Sequence, residues 1–331
     1  MTGASGERSE TTERAGVEVR EARHDDYDDV AAFTQNTWPE RDGGDYIPDV
    51  YHDWIEGEDK HTAVAVADGE VAGLAQTVLL SEWEAWNQGL RVNPEFRGRG
   101  VSVAVTESLF EWARQRGATV ARNMVFSWNV AGLGQSRATG YDPVTEFRWA
   151  HPDPTDADDP DDAPASSGSS VSGSSSADFE VTSDPRAAWR YWTDSEARDR
   201  LRGLALDPEE SWALSELTLG DLRAAADDGG LFVVQGDGTR GFAHRIREYE
   251  RESDEEAGET EQWVEYGVGA WADAESADAL FDAVARDAAE LGADRTRVLI
   301  PESPRFVSDA ALCRVEVADE PDFVLGADLT A

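Results

Sequence analysis

The chain has 331 residues, room for two domains, and 40% of them are hydrophobic, enough to build cores. A formal net charge of -40, with Lys60 the only lysine, argues against a nucleic-acid binder, which needs clustered Lys and Arg. No apolar run approaches a membrane span. The single cysteine, Cys313, leaves no intrachain disulfide and no cysteine metal site.

The acidic residues are spread along the whole chain, which suits adaptation to high salt, where self-repulsion is screened. The chain thus reads as halophilic. Residues 1–16 are polar and lack the apolar core of a secretion signal, so they are expected to be a disordered lead-in to a cytoplasmic protein.

Residues 17–23 alternate as a strand, and 25–37 and 46–56 read as helices, the second rich in aromatic residues. Strands are expected over 62–67 and 71–80, joined by the turn pair Asp68-Gly69, and over 84–92. Val101, Val105, Leu109 and Trp112 share one face of a helix over 101–116 that Gly117 ends. A strand over 120–128, a short helix after Asn129 and a last strand over 145–150 complete a first domain, residues 17–152. Residues 153–178 are Asp, Pro, Ser, Gly and Ala with almost no bulky apolar side chain, a flexible linker.

In the second domain, residues 179–331, strands are expected over 231–234, 241–249, 262–271 and 296–300, with an amphipathic helix ending at Gly292. Leu109-Phe110-Glu111…Gly117…Val120 is echoed by Leu280-Phe281-Asp282…Gly292…Val298, which reads as a diverged internal duplication.

The stretch richest in chemistry is Arg97-Gly98-Arg99-Gly100-Val101-Ser102, where a strand stops at Pro94 and a helix begins at once. Free N–H groups and the dipole at a helix N-terminus attract anions, and glycines let the backbone approach a phosphate. The plainer alternative is a tight strand–helix turn with solvated arginines. No Gly-Lys-Ser/Thr follows, so this is not a P-loop, and the glycine spacing is not that of a dinucleotide fingerprint.

This loop, with the order of strands and helices around it, resembles the diphosphate loop of GNAT acetyltransferases. Arg97 and Gly100 match its first two fixed positions, and Ser102 departs at the third. The resemblance implies an α/β (α+β) fold of tandem GNAT-like domains, each a mixed, mostly antiparallel sheet flanked by helices, the second degenerate. It implies acetyl-CoA as cofactor, its diphosphate held by N–H groups of Gly98, Arg99, Gly100, Val101 and Ser102. The Val92 N–H would bond the thioester oxygen, and Asn129 would lie near the cofactor arm. Asp45-Tyr46-Ile47-Pro48, Tyr51-His52-Asp53-Trp54 and Gly89-Leu90-Arg91-Val92 are similar to the tandem-domain GNAT group that includes histidine N-acetyltransferase. That likeness implies a small-molecule amine, such as an amino acid, as acceptor. Tyr46, Tyr51 and Trp54 would then line the acceptor side, or else are simply the core of an amphipathic helix.

For the base, even spacing puts Glu84, Trp86, Gln88 and Val92 on one strand face. Glu84 is a candidate acting through water, against a plain solvated glutamate, and Gln88 is a candidate acceptor contact. Many family members use as acid a tyrosine four residues before a Gly-aromatic pair. Here that position is Ser136, ahead of Gly140-Tyr141, so Tyr141 is the substitute candidate. A protein N-terminal acetyltransferase and a non-catalytic acyl-CoA sensor are the other readings. No metal is expected, and the chain could act as a monomer or a homodimer.

The charge makes one expectation immediate. Thermal unfolding followed from dilute to molar KCl should show the melting temperature rising with salt. A melting temperature indifferent to salt would reject the halophilic reading.

Overall fold

A hairpin comes first. β1 (Thr12–Arg14) pairs antiparallel with β2 (Val17–Glu21), Thr12 opposite Val19, around Gly16 at φ 85°. These residues fall inside the expected disordered lead-in. They form a strand because a glycine with positive φ closes a tight turn against the edge of β2. The computed structural model describes residues 12–14, 16–35, 37, 45–155, 179–253 and 258–330. The remainder of the lead-in and most of the expected linker lie outside the described residues.

Helices α1 (Tyr27–Thr34) and α2 (Ile47–Trp54) follow, then β3 (Lys60–Ala67) and β4 (Glu70–Leu79). Asp68 and Gly69 both have positive φ, 54° and 88°, as the Asp-Gly turn requires. Next come β5 (Glu84–Val92), α3 (Val101–Gln115), β6 (Val120–Phe126), α4 (Val130–Ala138) and β7 (Asp142–His151). Beyond the gap lie β8 (Glu180–Thr182), α5 (Pro185–Thr193), α6 (Glu196–Leu201), β9 (Leu204–Leu206), β10 (Leu214–Glu216) and α7 (Leu219–Asp227). The chain continues through β11 (Leu231–Gly236), β12 (Gly238–Glu252), β13 (Thr260–Trp271), α8 (Ala274–Glu290) and β14 (Arg295–Pro301). It finishes with α9 (Pro304–Leu312), β15 (Glu316–Val317) and β16 (Asp322–Asp328). No helix among the described residues is long and apolar enough to cross a membrane.

The chain divides into two units, and the division does not follow the linear order. Unit 1 takes residues 1–125, 129–143 and 324–331; unit 2 takes 126–128 and 144–323. The final strand of the chain, β16, lies beside β6, and the order in unit 1 is β1-β2-β3-β4-β5-β6-β16. In unit 2 the order is β7-β14-β13-β12-β11-β8, with β15 on β7. The boundaries expected at 152 and 179 are therefore corrected at both ends. Most of β7 precedes the expected linker yet belongs to unit 2, and most of β16 follows it yet belongs to unit 1. Composition marks a segment that cannot fold; it does not say which open sheet edge a strand will join. The strand pairs of each unit are mostly antiparallel, while β5–β6 in unit 1 and β13–β14 in unit 2 run parallel.

The faces of unit 1 follow strand alternation. Ala63, Ala65 and Ala67 of β3 and Ala72 and Ala75 of β4 point to α3, packing with Val101, Ala104, Val105 and Leu109. Small residues there let the helix lie close. Val64, Val71 and Leu74 point the other way, into a core with Val30, Ile47, Tyr51 and Trp54 of α1 and α2. In unit 2, Ala277, Leu280, Phe281, Val284 and Ala288 are the buried stripe of α8.

Both units carry a buried ion pair across their parallel strands. Glu84 meets Arg122 at 2.5 Å in unit 1, and Glu265 meets Arg297 in unit 2. Arg122 stands five residues after Gly117 and Arg297 five after Gly292, the same spacing in both units.

Unit 2 also holds a titratable strand residue. Burial pushes the Asp322 carboxyl up to about 6, although the Trp149 Nε1–H donates to it at 3.2 Å and Arg297 lies near. The folded state then holds a proton that the unfolded chain, near 3.9, does not hold over this range. The resulting stability is fully present below about pH 4 and lost as pH rises through 6. Asp322→Asn should flatten that pH dependence and raise the melting temperature at pH 7 by a few degrees. An unchanged profile would remove Asp322 from the account.

Candidate functional site

The site begins where β5 and β6 stop pairing. Their parallel register is Glu84↔Val120, Ala85↔Ala121 and Trp86↔Arg122, and it ends there although both strands continue. Beyond that apex the strands form a wedge of backbone with no partner strand, which something else must satisfy. On its other edge β5 stays paired with β4 and carries an extra residue. Leu74 faces Arg91 while Gln76 faces Gln88, so the bulge lies at Gly89 and Leu90. Gly89 has φ 65°, and a Cβ there would strike the Trp54 ring. Trp54 is thus buried packing that locks the bulge.

The bulge corrects the expected strand face. Leu90 and Val92 pack on the α3 side, so Val92 does not share the face of Glu84, Trp86 and Gln88. Its backbone is well aimed nonetheless. The Asn93 N–H bonds the Ala72 carbonyl of β4 at 2.9 Å, so the Val92 N–H points away from β4, into the wedge.

At the open end of the wedge lies the Arg-Gly loop. Asn93 Oδ1 accepts from the Glu95 N–H at 3.1 Å and starts a short turn over Pro94–Phe96. Gly98 (φ 75°) and Gly100 (φ 80°) are left-handed, and a Cβ on either would meet nothing within 4 Å. Gly100 is the N-cap of α3, with no side-chain cap and no acidic residue in the first turn. The first helical bond runs from the Ala104 N–H to the Gly100 carbonyl, so the N–H groups of Val101, Ser102 and Val103 find no partner within the helix. Arg97 is exposed and has no ion pair among the described residues. Arg99 lies over the Phe96 ring and bonds Asp68 at 2.7 Å; both partners are solvent-exposed, so this pair holds the arginine weakly. The loop is a cradle for an anion. A diphosphate fits it, and the unpaired strand edge above it fits an amide-bearing arm.

The remaining candidates divide. Glu84 is 2% exposed, its carboxylate held by Arg122 and by the Ser81 hydroxyl at 3.0 Å. It pins the apex and is not available as a base. Tyr51 is core, its hydroxyl donating to the Arg23 carbonyl at 2.8 Å. Gln88 donates to Gln76 Oε1 at 2.7 Å, and Gln76 donates to the Trp54 carbonyl at 2.9 Å. Tyr46 is 44% exposed, edge-on to Trp54 and beneath the Arg91 guanidinium, which Asp45 holds at 2.6 Å. Of the aromatic trio only Tyr46 is open to an acceptor. Asn129 caps α4, its Oδ1 accepting from the Gly132 N–H at 2.9 Å. Ser136 is buried and accepts from Asn123 Nδ2 at 3.1 Å; Tyr141 is buried and accepts from Asn87 Nδ2 at 2.7 Å. Burial pushes the Tyr141 phenol well above its ordinary range. Sequence reasoning missed Asn87, Asn123 and the bulge; a glycine inside a strand pattern was the available signal for the bulge.

Unit 2 shows the same frame closed. Asp273 caps α8, accepting from the Ser276 N–H at 2.9 Å, and Arg240 pairs with it. A Cβ on Gly269 would meet Val298 at 3.0 Å and lie near Trp271 and Ile300. Trp271 is buried against Phe306, ring centroids 4.8 Å apart. A carboxylate occupies the helix terminus and side chains fill the space beside β13.

Residues 22–133 match the model of the acetyltransferase (GNAT) family. They are a GNAT acetyltransferase domain. This GNAT domain falls in unit 1 except for residues 126–128, and it contains the wedge and the Arg-Gly loop. The chain is 28% identical over 108 residues to a histidine N-acetyltransferase of Oreochromis niloticus, 32% of this chain and 31% of that protein. It is 44% identical over 61 residues to one of Xenopus tropicalis, 18% of this chain and 19% of that protein. The chain thus spans a third or less of the length of these curated relatives. A GCN5-related N-acetyltransferase from Sphaerobacter thermophilus shares the fold over 96% of this chain and 97% of its own, with TM-score 0.57 and 16% identity.

Gly100→Val should weaken CoA binding by about 10- to 100-fold, because a β-branched residue pays roughly 1–2 kcal/mol or more at positive φ and its side chain enters the cradle. Calorimetry on a variant with unchanged circular dichroism checks this. Unchanged affinity would place the cofactor elsewhere.

Proposed function

We propose that the protein is an acetyl-CoA-dependent N-acetyltransferase for a small-molecule amine, with its catalytic unit in unit 1. The observation that carries this is the parting of β5 and β6 above an uncapped, glycine-lined helix terminus. The N–H groups of residues 101–103, with Arg97, hold the diphosphate. The Val92 N–H faces the wedge as donor to the carbonyl oxygen. When bound, acetyl-CoA supplies an activated thioester. With Glu84 committed to Arg122, no carboxylate base is assigned; orientation of an amine that arrives partly deprotonated supplies the rate, and its proton leaves to solvent. Tyr46 is the exposed aromatic contact on the acceptor side. The relatives named histidine N-acetyltransferase make an amino acid, histidine first, the acceptor to test.

Unit 2 is read as a diverged copy that kept the frame and lost the cofactor, since its helix terminus is capped by Asp273 and lies beside Glu275. One acetyl-CoA per chain follows, because a carboxylate at the terminus repels a diphosphate. Calorimetric titration of the full chain in high salt should give a stoichiometry near one, and a count near two would overturn the reading of unit 2. Turnover assays with amino acids and peptides test the activity. Transfer to peptides alone would select the protein N-terminal acetyltransferase reading. Tight binding without any transfer would select the sensor reading, which the serine at position 136 otherwise favours.

A further inference from the structure

The chain has five histidines. Three are enclosed. His61 stacks on Trp112, ring centroids 5.3 Å apart, and burial pushes it down to about 4. Burial does the same to His244, and His151 bonds the Thr296 carbonyl at 2.9 Å. The remaining two, His24 and His52, are exposed and face each other in unit 1. Their Nδ1 atoms lie 3.0 Å apart although 28 residues separate them, a meeting that no local spacing announces.

Each ring is set by its own neighbours. His24 opens the short turn His24–Asp26 ahead of α1, and His52 lies on α2 next to the buried Tyr51. Tyr27 stacks on the His52 ring, centroids 4.9 Å apart and planes 23° from parallel, with Tyr51 edge-on at 5.7 Å. Two aromatic neighbours restrict the rotamers of a side chain that solvent would leave free. On His24, Glu56 Oε1 lies 3.9 Å from Nε2. A carboxylate there favours the tautomer with its proton on Nε2, which leaves the Nδ1 lone pair facing His52. A carboxylate behind the imidazole is also what orients and strengthens a metal-bound histidine.

Two imidazole nitrogens this close can hold one ion between them. An ion about 2.0–2.1 Å from each would meet nitrogens 3.0 Å apart at an angle of roughly 90–100°. That is the angle between neighbouring ligands in a square or tetragonal site, narrower than a tetrahedron allows. Imidazole ligands in that geometry suit copper(II) and nickel(II). Between two neutral rings the same contact is an N–H···N bond; an ion replaces it when the His52 proton moves from Nδ1 to Nε2. Among the described residues no group of three or more His, Cys, Asp or Glu is placed to hold a metal, so water would complete the shell.

We propose that His24 and His52 form a two-imidazole site for a divalent copper or nickel ion, which staples α2 to the turn ahead of α1. The site is separate from the Arg-Gly loop and does not depend on the acetyl-CoA reading. Its effect is on the helix that shapes the wedge. α2 also carries Trp54, so an ion that holds α2 steadies the side chain that locks the bulge.

The test uses the full chain in high KCl, without a polyhistidine tag, and reads no activity. Calorimetric titrations with Cu²⁺ and with Ni²⁺ should each give one ion per chain, and Zn²⁺ should bind more weakly than Ni²⁺. At 100 times the dissociation constant the melting temperature should rise by about 5–10 °C. His24→Gln and His52→Gln should each weaken binding by about 100-fold or more, because one imidazole alone is no chelate. Both positions are exposed, so without metal each variant should melt within about 2 °C of wild type. Binding unchanged in both variants would overturn the proposal and give the ions to surface carboxylates. An equal rise in melting temperature with Mg²⁺, which carboxylates hold and imidazoles do not, would overturn it in the same way. Zn²⁺ binding tighter than Ni²⁺ would overturn the tetragonal assignment.

Discussion

The structure of unit 1 depends on two strands that pair for three residues and then separate. A sheet normally satisfies its own backbone, and an unpaired stretch in its interior is unfavourable unless another group takes the exposed donors and acceptors. The separation is held from both sides. At the apex, Glu84 and Arg122 keep the paired residues together. On the far edge, the bulge at Gly89, locked under Trp54, adds twist to β5 and turns it away. The aromatic helix α2 therefore acts on the wedge indirectly. Its tryptophan shapes the strand that the cofactor arm would join, and Tyr46 alone among its aromatic candidates is left facing outward.

In unit 2 the corresponding demands are met from within. The parallel pair β13–β14 also ends after a few residues, and its apex carries the equivalent Glu265–Arg297 pair. Beyond it the space is taken by Trp271, Val298, Ile300 and Phe306, and the helix terminus by the Asp273 cap. Arg297 lies against Trp149 and Trp212, 4.5 and 4.3 Å from their ring centres. Unit 1 has a polar apex where unit 2 has a packed one.

Much of this was legible in the sequence, for reasons that can be named. Strands β3 to β5 and helices α3 and α8 declare themselves because alternation and helical periodicity reflect one-sided burial. The Arg-Gly loop stands out because paired glycines and arginines between a strand and a helix suit an anion and are otherwise rare in so acidic a chain. The acceptor side was not legible. Tyr51 and Trp54 differ from Tyr46 only in which way the helix faces, and that is decided by packing on β4 and β5. Glu84 looked solvated because nothing local announces Arg122, 38 residues away. The short elements β8, α5 to α7 and α9 were missed since their periodic runs are too brief to rise above loop composition.

The crossing of the end strands has a consequence for biosynthesis. Unit 1 is completed by β16, roughly 200 residues beyond β6. At the ordinary pace of about 5–20 residues per second, β6 would wait some 10–40 s on the ribosome with its edge unpaired. An open strand edge in that interval invites pairing with another nascent chain. The dense negative charge of the sequence, -40 over 331 residues, then acts as a chaperone of sorts, since like-charged chains repel before they can join. That acidity would protect the protein while it is still half made.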